Sequence, residues 1–236
     1  MKKQLLCWLS LIWLASCSPS ADELFQEGIR HLEESDYQKA ITYFDRAIDK
    51  QADFTSALNA KGIALIQLAQ YDRAIETLNR SIKIDSLSYK PYYNRGNAWF
   101  EKGEYRAAVM DYNTANGLEP GVLDIYFNRG VALMGMEEYE DAIFDFEILI
   151  QENPEHPRAW FNKGKSEFWN NDPVSSINSL TRAVDLDNSN GEAYYLIGTI
   201  QMSAFNMVDE GCVSFKMARS LGYADAQTWI DDFCKE

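Results

Sequence analysis

The stretch YYNRGNAWF (residues 92–100) returns as YFNRGVALM at 126–134 and as WFNKGKSEF at 160–168, each copy beginning 34 residues after the last. Aligning the chain on the shared glycine extends the pattern in both directions. Gly28, Gly62, Gly96, Gly130, Gly164 and Gly198 keep the same spacing. So do Ala40, Ala74, Ala108, Ala142 and Ser176, the aromatic series Tyr37, Tyr71, Tyr105 and Tyr139, and the bulky series Phe44, Leu78, Tyr112, Phe146 and Leu180. Self-similarity at a fixed period marks a repeat architecture. Five units run without a gap from Ala21 to Asn190. A sixth, from Gly191, is irregular: Phe215 and Ala218 arrive one residue late, and Glu210 stands at an alanine place.

Within a unit, apolar residues recur at three- and four-residue steps in two stretches, which predicts two amphipathic helices. In the third unit Gly103 lies between the stretches, where the chain must turn. The recurring Gly and Ala are expected where the paired helices approach most closely, with Tyr105 and Tyr112 filling the seam beside them. One unit cannot bury both helix faces alone, so stacking must make the core. The columns resemble the tetratricopeptide repeat, with Pro120 and Pro154 at its proline place and Ala52, Ser86 and Asn188 departing from it. That resemblance implies an all-α, right-handed superhelix (an α-solenoid) of about six helix hairpins, at residues 21–54, 55–88, 89–122, 123–156, 157–190 and 191–223. The closing segment YADAQTWIDDFCKE puts Ala226, Trp229, Ile230 and Phe233 on one helical face, which predicts a capping helix over 224–236.

The first residues carry a different signal. Lys2 and Lys3 precede an apolar run from Leu5 to Ala15, then small residues and Cys17. Such a run is too short to span roughly 30 Å of hydrocarbon and has the layout of an export signal. Leu14-Ala15-Ser16-Cys17 resembles the bacterial lipobox, which implies removal of residues 1–16 and acylation of Cys17, with residues 17–20 as a lipidated linker. The other reading is an ordinary cleaved signal with Cys17 incidental. Ser18 replaces the aspartate that, in enterobacterial sorting, retains lipoproteins at the inner membrane. The expected location is therefore the cell envelope, at the outer membrane and facing the periplasm. Loss of the signal also removes Cys7 and leaves Cys212 and Cys234 as an even pair. In an exported chain such a pair points to a disulfide between the last hairpin and the cap, the alternative being two buried free thiols. The segment from Gly211 to Cys234 also resembles the ending of other exported repeat lipoproteins.

A formal charge of −14 excludes a nucleic-acid footprint and disfavours an electrostatic grip on anionic lipid. Catalytic signatures are missing: the chain has no phosphate-cradling Gly-rich loop, no H-E-x-x-H and no G-x-S-x-G. His31 is expected half-buried at a helix-packing place and His156 in an inter-repeat turn, too far apart for a metal site. Asp185 to Glu192 lacks the closing glutamate of a calcium loop and reads as an inter-repeat turn. Asp231 and Asp232 are adjacent and so lie on different helix faces. The expectation is a non-enzymatic protein with no cofactor.

The resemblance also places a binding surface. In the family the first helix of each pair lines the concave wall, and the residue two before each glycine points into it. Here these are Gln26, Ala60, Asn94, Asn128, Asn162 and Leu196. A ladder of amides at Asn94, Asn128 and Asn162 would donate to and accept from an extended peptide backbone. One place earlier stand Phe25, Asn59, Tyr93, Phe127, Phe161 and Tyr195, with Phe100, Met134 and Phe168 beyond the glycine; such side chains give adaptable apolar contact. Some members of the family clamp the C-terminal carboxylate of chaperone tails. Asn97, Asn128 and Arg158 occupy three of those places, but Tyr93 and Asn162 stand where two cations belong, so that clamp is rejected. Arg95 and Arg129 occur in the two units that carry Asp111 and Asp145 sixteen residues on, which predicts internal ion pairs. The functional expectation is a membrane-anchored scaffold that binds a protein or peptide in its groove. By resemblance it would assist assembly of an envelope or secretion complex or serve as an adaptor for peptidoglycan hydrolases. The alternative is a self-associating homo-oligomeric structural lipoprotein.

Overall fold

The computed structural model describes residues 18–234. Residues 1–17, on which the expected export signal and the acylation of Cys17 fall, lie outside the described residues. Thirteen helices and no strand occur among the described residues. Six hairpins follow one another: α1 (Ala21–Glu33) with α2 (Tyr37–Lys50), α3 (Thr55–Gln67) with α4 (Tyr71–Ile84), and α5 (Tyr89–Glu101) with α6 (Tyr105–Leu118). They continue as α7 (Leu123–Gly135) with α8 (Tyr139–Glu152), α9 (Pro157–Trp169) with α10 (Pro173–Leu186), and α11 (Gly191–Ser203) with α12 (Val208–Ser220). The short α13 (Ala226–Phe233) closes the series. Each helix packs on its neighbours in the chain, and consecutive first helices from α1 to α9 also touch one another. This is the expected α-solenoid. No helix among the described residues is long and apolar enough to cross a membrane.

The glycine column works as close packing requires. A Cβ added to Gly96 would stand 2.7 Å from the Tyr112 ring, and one on Gly130 would stand 2.8 Å from the Phe146 ring. The same relation joins Gly62 to Leu78 and Gly164 to Leu180, always sixteen residues on. In the last hairpin Gly198 meets Phe215, seventeen residues on, because the turn there is one residue longer. The turns explain that shift. Ser35, Ala69, Gly103, Glu137 and Asn171 all have positive φ at 34-residue spacing, and Asn206 follows at 35. Each takes the left-handed conformation that reverses the chain after the first helix.

Tyr112 is buried in the seam as expected, with its hydroxyl donating to Asn97 Oδ1 at 2.8 Å. Tyr105 packs on Phe100 of its own hairpin, 5.5 Å between ring centroids, and also reaches the next hairpin, where it would meet a Cβ on Gly135 at 2.8 Å. His31 is buried rather than half-buried, 8% exposed, and stacked on Tyr43 at 5.2 Å between ring centroids. His156 caps α9, its Nδ1 accepting from the Ala159 N–H at 3.0 Å.

Arg95 and Arg129 form the expected pairs. Arg95 Nε and Nη2 donate to the two carboxylate oxygens of Asp111 at 2.7 and 2.6 Å, and Arg129 binds Asp145 in the same way at 2.8 and 2.6 Å. Each arginine also reaches back sixteen residues, Arg95 to Asn79 and Arg129 to Asn113. Lys61 and Lys163 keep only the backward arm, to Asp45 and Glu147, since Thr77 and Ser179 replace the forward aspartate. Lys163 takes its second carboxylate from Glu167 on its own helix at 2.7 Å. The cation column therefore staples hairpins two to five each to the one before it.

At the C-terminal end α13 covers the last hairpin. Trp229 stacks on Phe215 at 5.0 Å, and Ala226 is fully buried. Phe233, expected on the buried face, stays 53% exposed because the helix ends there and turns to Cys234. A disulfide joins Cys212 on α12 to Cys234, with Cα atoms 5.5 Å apart.

Candidate functional site

The first helices form one wall of the solenoid, and that wall carries the best-formed cleft. It encloses about 340 Å³ between Ile66 and Gln67 of α3, Asn97, Phe100 and Glu101 of α5, Phe127, Asn128 and Val131 of α7, and Arg158 of α9, with Tyr112 behind. A shallower cleft of about 290 Å³ lies toward the N-terminal end, with Phe25, Ile29, Leu32, Ile63 and Pro91 facing Ser56, Asn59 and Lys90. Of the residues singled out from sequence, Asn97, Phe100, Phe127, Asn128 and Arg158 share the central cleft, and Tyr93 is bonded to it through Asn128.

The polar groups there form a network. Asn97 Oδ1 accepts from the Tyr112 hydroxyl and from Asn128 Nδ2 at 3.1 Å, and the same Nδ2 donates to the Tyr93 oxygen at 2.9 Å. Burial raises the Tyr93 pKa above the ordinary phenol value and raises that of Tyr112 far above it, so both rings stay neutral. Two handles are left. Asn128 Oδ1 has no hydrogen-bond partner among the described residues. Arg158 is exposed, with its guanidinium 4.8 Å from the Phe127 ring centroid and no carboxylate partner among the described residues. A half-buried amide beside an aromatic floor and a free cation can hold a peptide unit and one bulky side chain.

The asparagine ladder needs correction. Asn94 is buried, only 8% exposed, and its Nδ2 donates to Asn59 Oδ1 at 2.9 Å. It ties α3 to α5 and does not line the cleft. Asn128 makes the equivalent bond to Tyr93, again 35 residues back. For Asn162 the residue 35 back is Phe127, which has no acceptor, and the ladder stops there. Asn162 lies outside the cleft. Phe161 packs on α11 and beneath Lys165, whose ammonium pairs with Glu192 at 2.6 Å. Phe168 belongs to a separate recess with Trp169, Pro173 and Ile200. Conversely, Ile66, Gln67, Glu101 and Val131 line the cleft without having been singled out. Each sits one period from a residue that was, or from another of the four: Ile66 from Phe100, Val131 from Asn97, and Gln67 from Glu101. Following the Asn97 and Phe100 columns through every unit would have found Val131 and Ile66; Gln67 and Glu101 share a column in which no residue was singled out.

No nucleophile–base pair lines the cleft, and no group of three metal-ligating side chains occurs among the described residues. The arrangement is suited to binding.

A profile of the tetratricopeptide repeat matches residues 25–91 and 127–191. No curated protein matches the chain significantly by sequence. Several solved structures share its fold. PilF of Pseudomonas aeruginosa superposes with a TM-score of 0.74 at 17% identity, covering 88% of this chain and 96% of its own. YrrB, described as a protein of this repeat with an unusual peptide-binding site, gives 0.70 at 16% identity, covering 78% of this chain and 96% of its own. MamA of Desulfovibrio magneticus gives 0.67 at 18% identity, covering 71% and 94%.

Proposed function

The chain belongs to the tetratricopeptide-repeat family, and from that premise we propose that it is a lipid-anchored scaffold of the cell envelope. It binds a protein or peptide partner on its first-helix wall and takes part in assembling an envelope or secretion complex. It performs no chemistry of its own. The observation that carries the binding role is the central cleft, where Asn128 Oδ1 and the Arg158 guanidinium stand without a partner among the described residues around Phe100 and Phe127. Desolvated aromatic and arginine side chains in a pocket are the usual anchors of a binding surface. The peptide-binding site of YrrB, on the same fold, supports a polypeptide as the occupant.

The anchor rests on the lipobox resemblance. Cys17 stands three residues before Ser20, the N-cap of α1, whose side chain and Glu23 form a reciprocal capping box. An acyl group there would join the rod to the outer membrane through a very short tether, and diacyl anchoring is stable where one chain is marginal.

The test is a membrane pull-down with the wild type, an Asn97→Ala/Phe127→Ala/Arg158→Ala variant, and Asn94→Ala as a structural control. Loss of one partner from the triple variant alone, at unchanged helicity, supports the reading; an unchanged partner list overturns it. Labelled palmitate incorporation that persists in Cys17→Ala would overturn the anchor separately.

A further inference from the structure

The edge formed by the intra-hairpin turns changes character along the rod. In hairpins one, three and four it is charged, with Glu34 and Asp36, Lys102 and Glu104, and Glu137 and Glu138. In hairpin two it is polar, and its Leu68 is half-buried. In hairpins five and six it turns apolar: Trp169, Val174, Phe205, Met207 and Val208 are between 37% and 59% exposed. Beside Trp169 opens a recess of about 530 Å³, lined also by Phe168, Pro173, Ile200 and Ala204 with Asn171 and Ser203 at its polar side. Clustered large apolar side chains of this kind mark an interaction surface, whereas scattered ones do not.

The charges around the patch select its occupant. Asp172, Asp209 and Glu210 are exposed beside it, and none of the three forms an ion pair among the described residues. Residues 169–174 and 203–210 contain no Lys or Arg. An anionic bilayer would be repelled by such a rim. An amphipathic helix with an apolar stripe flanked by cations matches both the recess and the rim. We infer that the turn edge of hairpins five and six is a second docking surface, which takes a basic amphipathic segment of a partner polypeptide. A bulky side chain of that segment fills the recess, and its cations face Asp172, Asp209 and Glu210. This surface is separate from the central cleft and does not depend on the anchor.

The chain from Ser18 holds all thirteen helices and both closing elements, so it serves for the test. The probe is an 18-residue amphipathic peptide of leucine and lysine, with its leucine–glutamate counterpart as the control, followed by fluorescence anisotropy at two salt concentrations. Trp169→Ser/Phe205→Ser is expected to weaken binding tenfold or more. Asp209→Lys/Glu210→Lys is expected to weaken it at least threefold and flatten the salt dependence. Glu137→Lys/Glu138→Lys, the same charge change one edge position away from the patch, is expected to leave it unaltered. The inference is overturned if the wild type fails to bind, if the glutamate peptide binds as tightly, or if the hairpin-four reversal weakens binding as much as the hairpin-six reversal.

Discussion

Arg129 grips Asp145 through two parallel hydrogen bonds, Nε to Oδ2 at 2.8 Å and Nη2 to Oδ1 at 2.6 Å, with the carboxylate 2% exposed. Burial pushes the Asp145 carboxyl up, the Arg129 bonds oppose it, and the guanidinium is held charged by its partner. The pair is therefore worth most as a pair. Arg129→Met would leave a buried carboxylate uncompensated and is expected to destabilise the chain by about 3–5 kcal/mol. Arg129→Met/Asp145→Leu should recover most of that loss. Urea unfolding of the two single variants and the double variant checks the cycle; a double variant as unstable as Arg129→Met would assign the loss to packing instead.

Glycines in this chain fall into two kinds. A Cβ on Gly130 would press on the buried Phe146 ring, whereas one on Gly117, near the end of α6, meets nothing within 4 Å. Gly130→Ala should cost about 1–3 kcal/mol by overpacking. Gly117→Ala should stabilise by about 0.5–1 kcal/mol through helix propensity. Thermal melts of the two variants side by side test the contrast.

The left-handed turn column makes a prediction of opposite sign. Ala69 sits at φ 55° and Glu137 at φ 62°, a conformation that costs a residue with a Cβ about 1–2 kcal/mol, while glycine carries its own entropy cost. Ala69→Gly and Glu137→Gly should each stabilise the chain by roughly 0.5 kcal/mol. Gly103→Ala should destabilise it by about 1 kcal/mol, because Gly103 holds φ 78°. Chemical denaturation with an unchanged m-value would check all three.

These turns also show what sequence could and could not reveal. The glycine and bulky columns were legible because one steric contact repeats with one residue type on each side, as at Gly96 and Tyr112. The turn position was visible only at Gly103, because Ser35, Ala69, Glu137 and Asn171 meet the same backbone demand with unrelated side chains. Arg95–Asp111 could be read because both partners vary together. The backward bonds to Asn79 and Asn113 lie in a column of mixed residues and could not. In the cleft, residue type singled out Asn97, Phe127 and Arg158, all of which line it. Asn94 was misplaced because an amide looks the same in sequence whether it faces a ligand or a neighbouring amide. Only the acceptor 35 residues earlier, Asn59, decides the matter.

The covalent closure of the C-terminal end carries the last prediction. Cys212 and Cys234 are 22 residues apart, and the bond between them clips an eight-residue α13 over Phe215. A helix that short is marginal without tertiary support, and closing a loop of this length contributes about 3 kcal/mol in the chain-entropy model. Each hairpin of a solenoid touches only its neighbours, so the loss should stay local. Cys212→Ser/Cys234→Ser is expected to raise amide exchange in α13 and α12 strongly, to raise it less in α11, and to leave hairpins one to four at wild-type protection. Reduction of the wild type should reproduce the same gradient. Uniform deprotection along the whole rod would mean that the six hairpins unfold as one unit, and the picture of nearest-neighbour stacking would have to be given up.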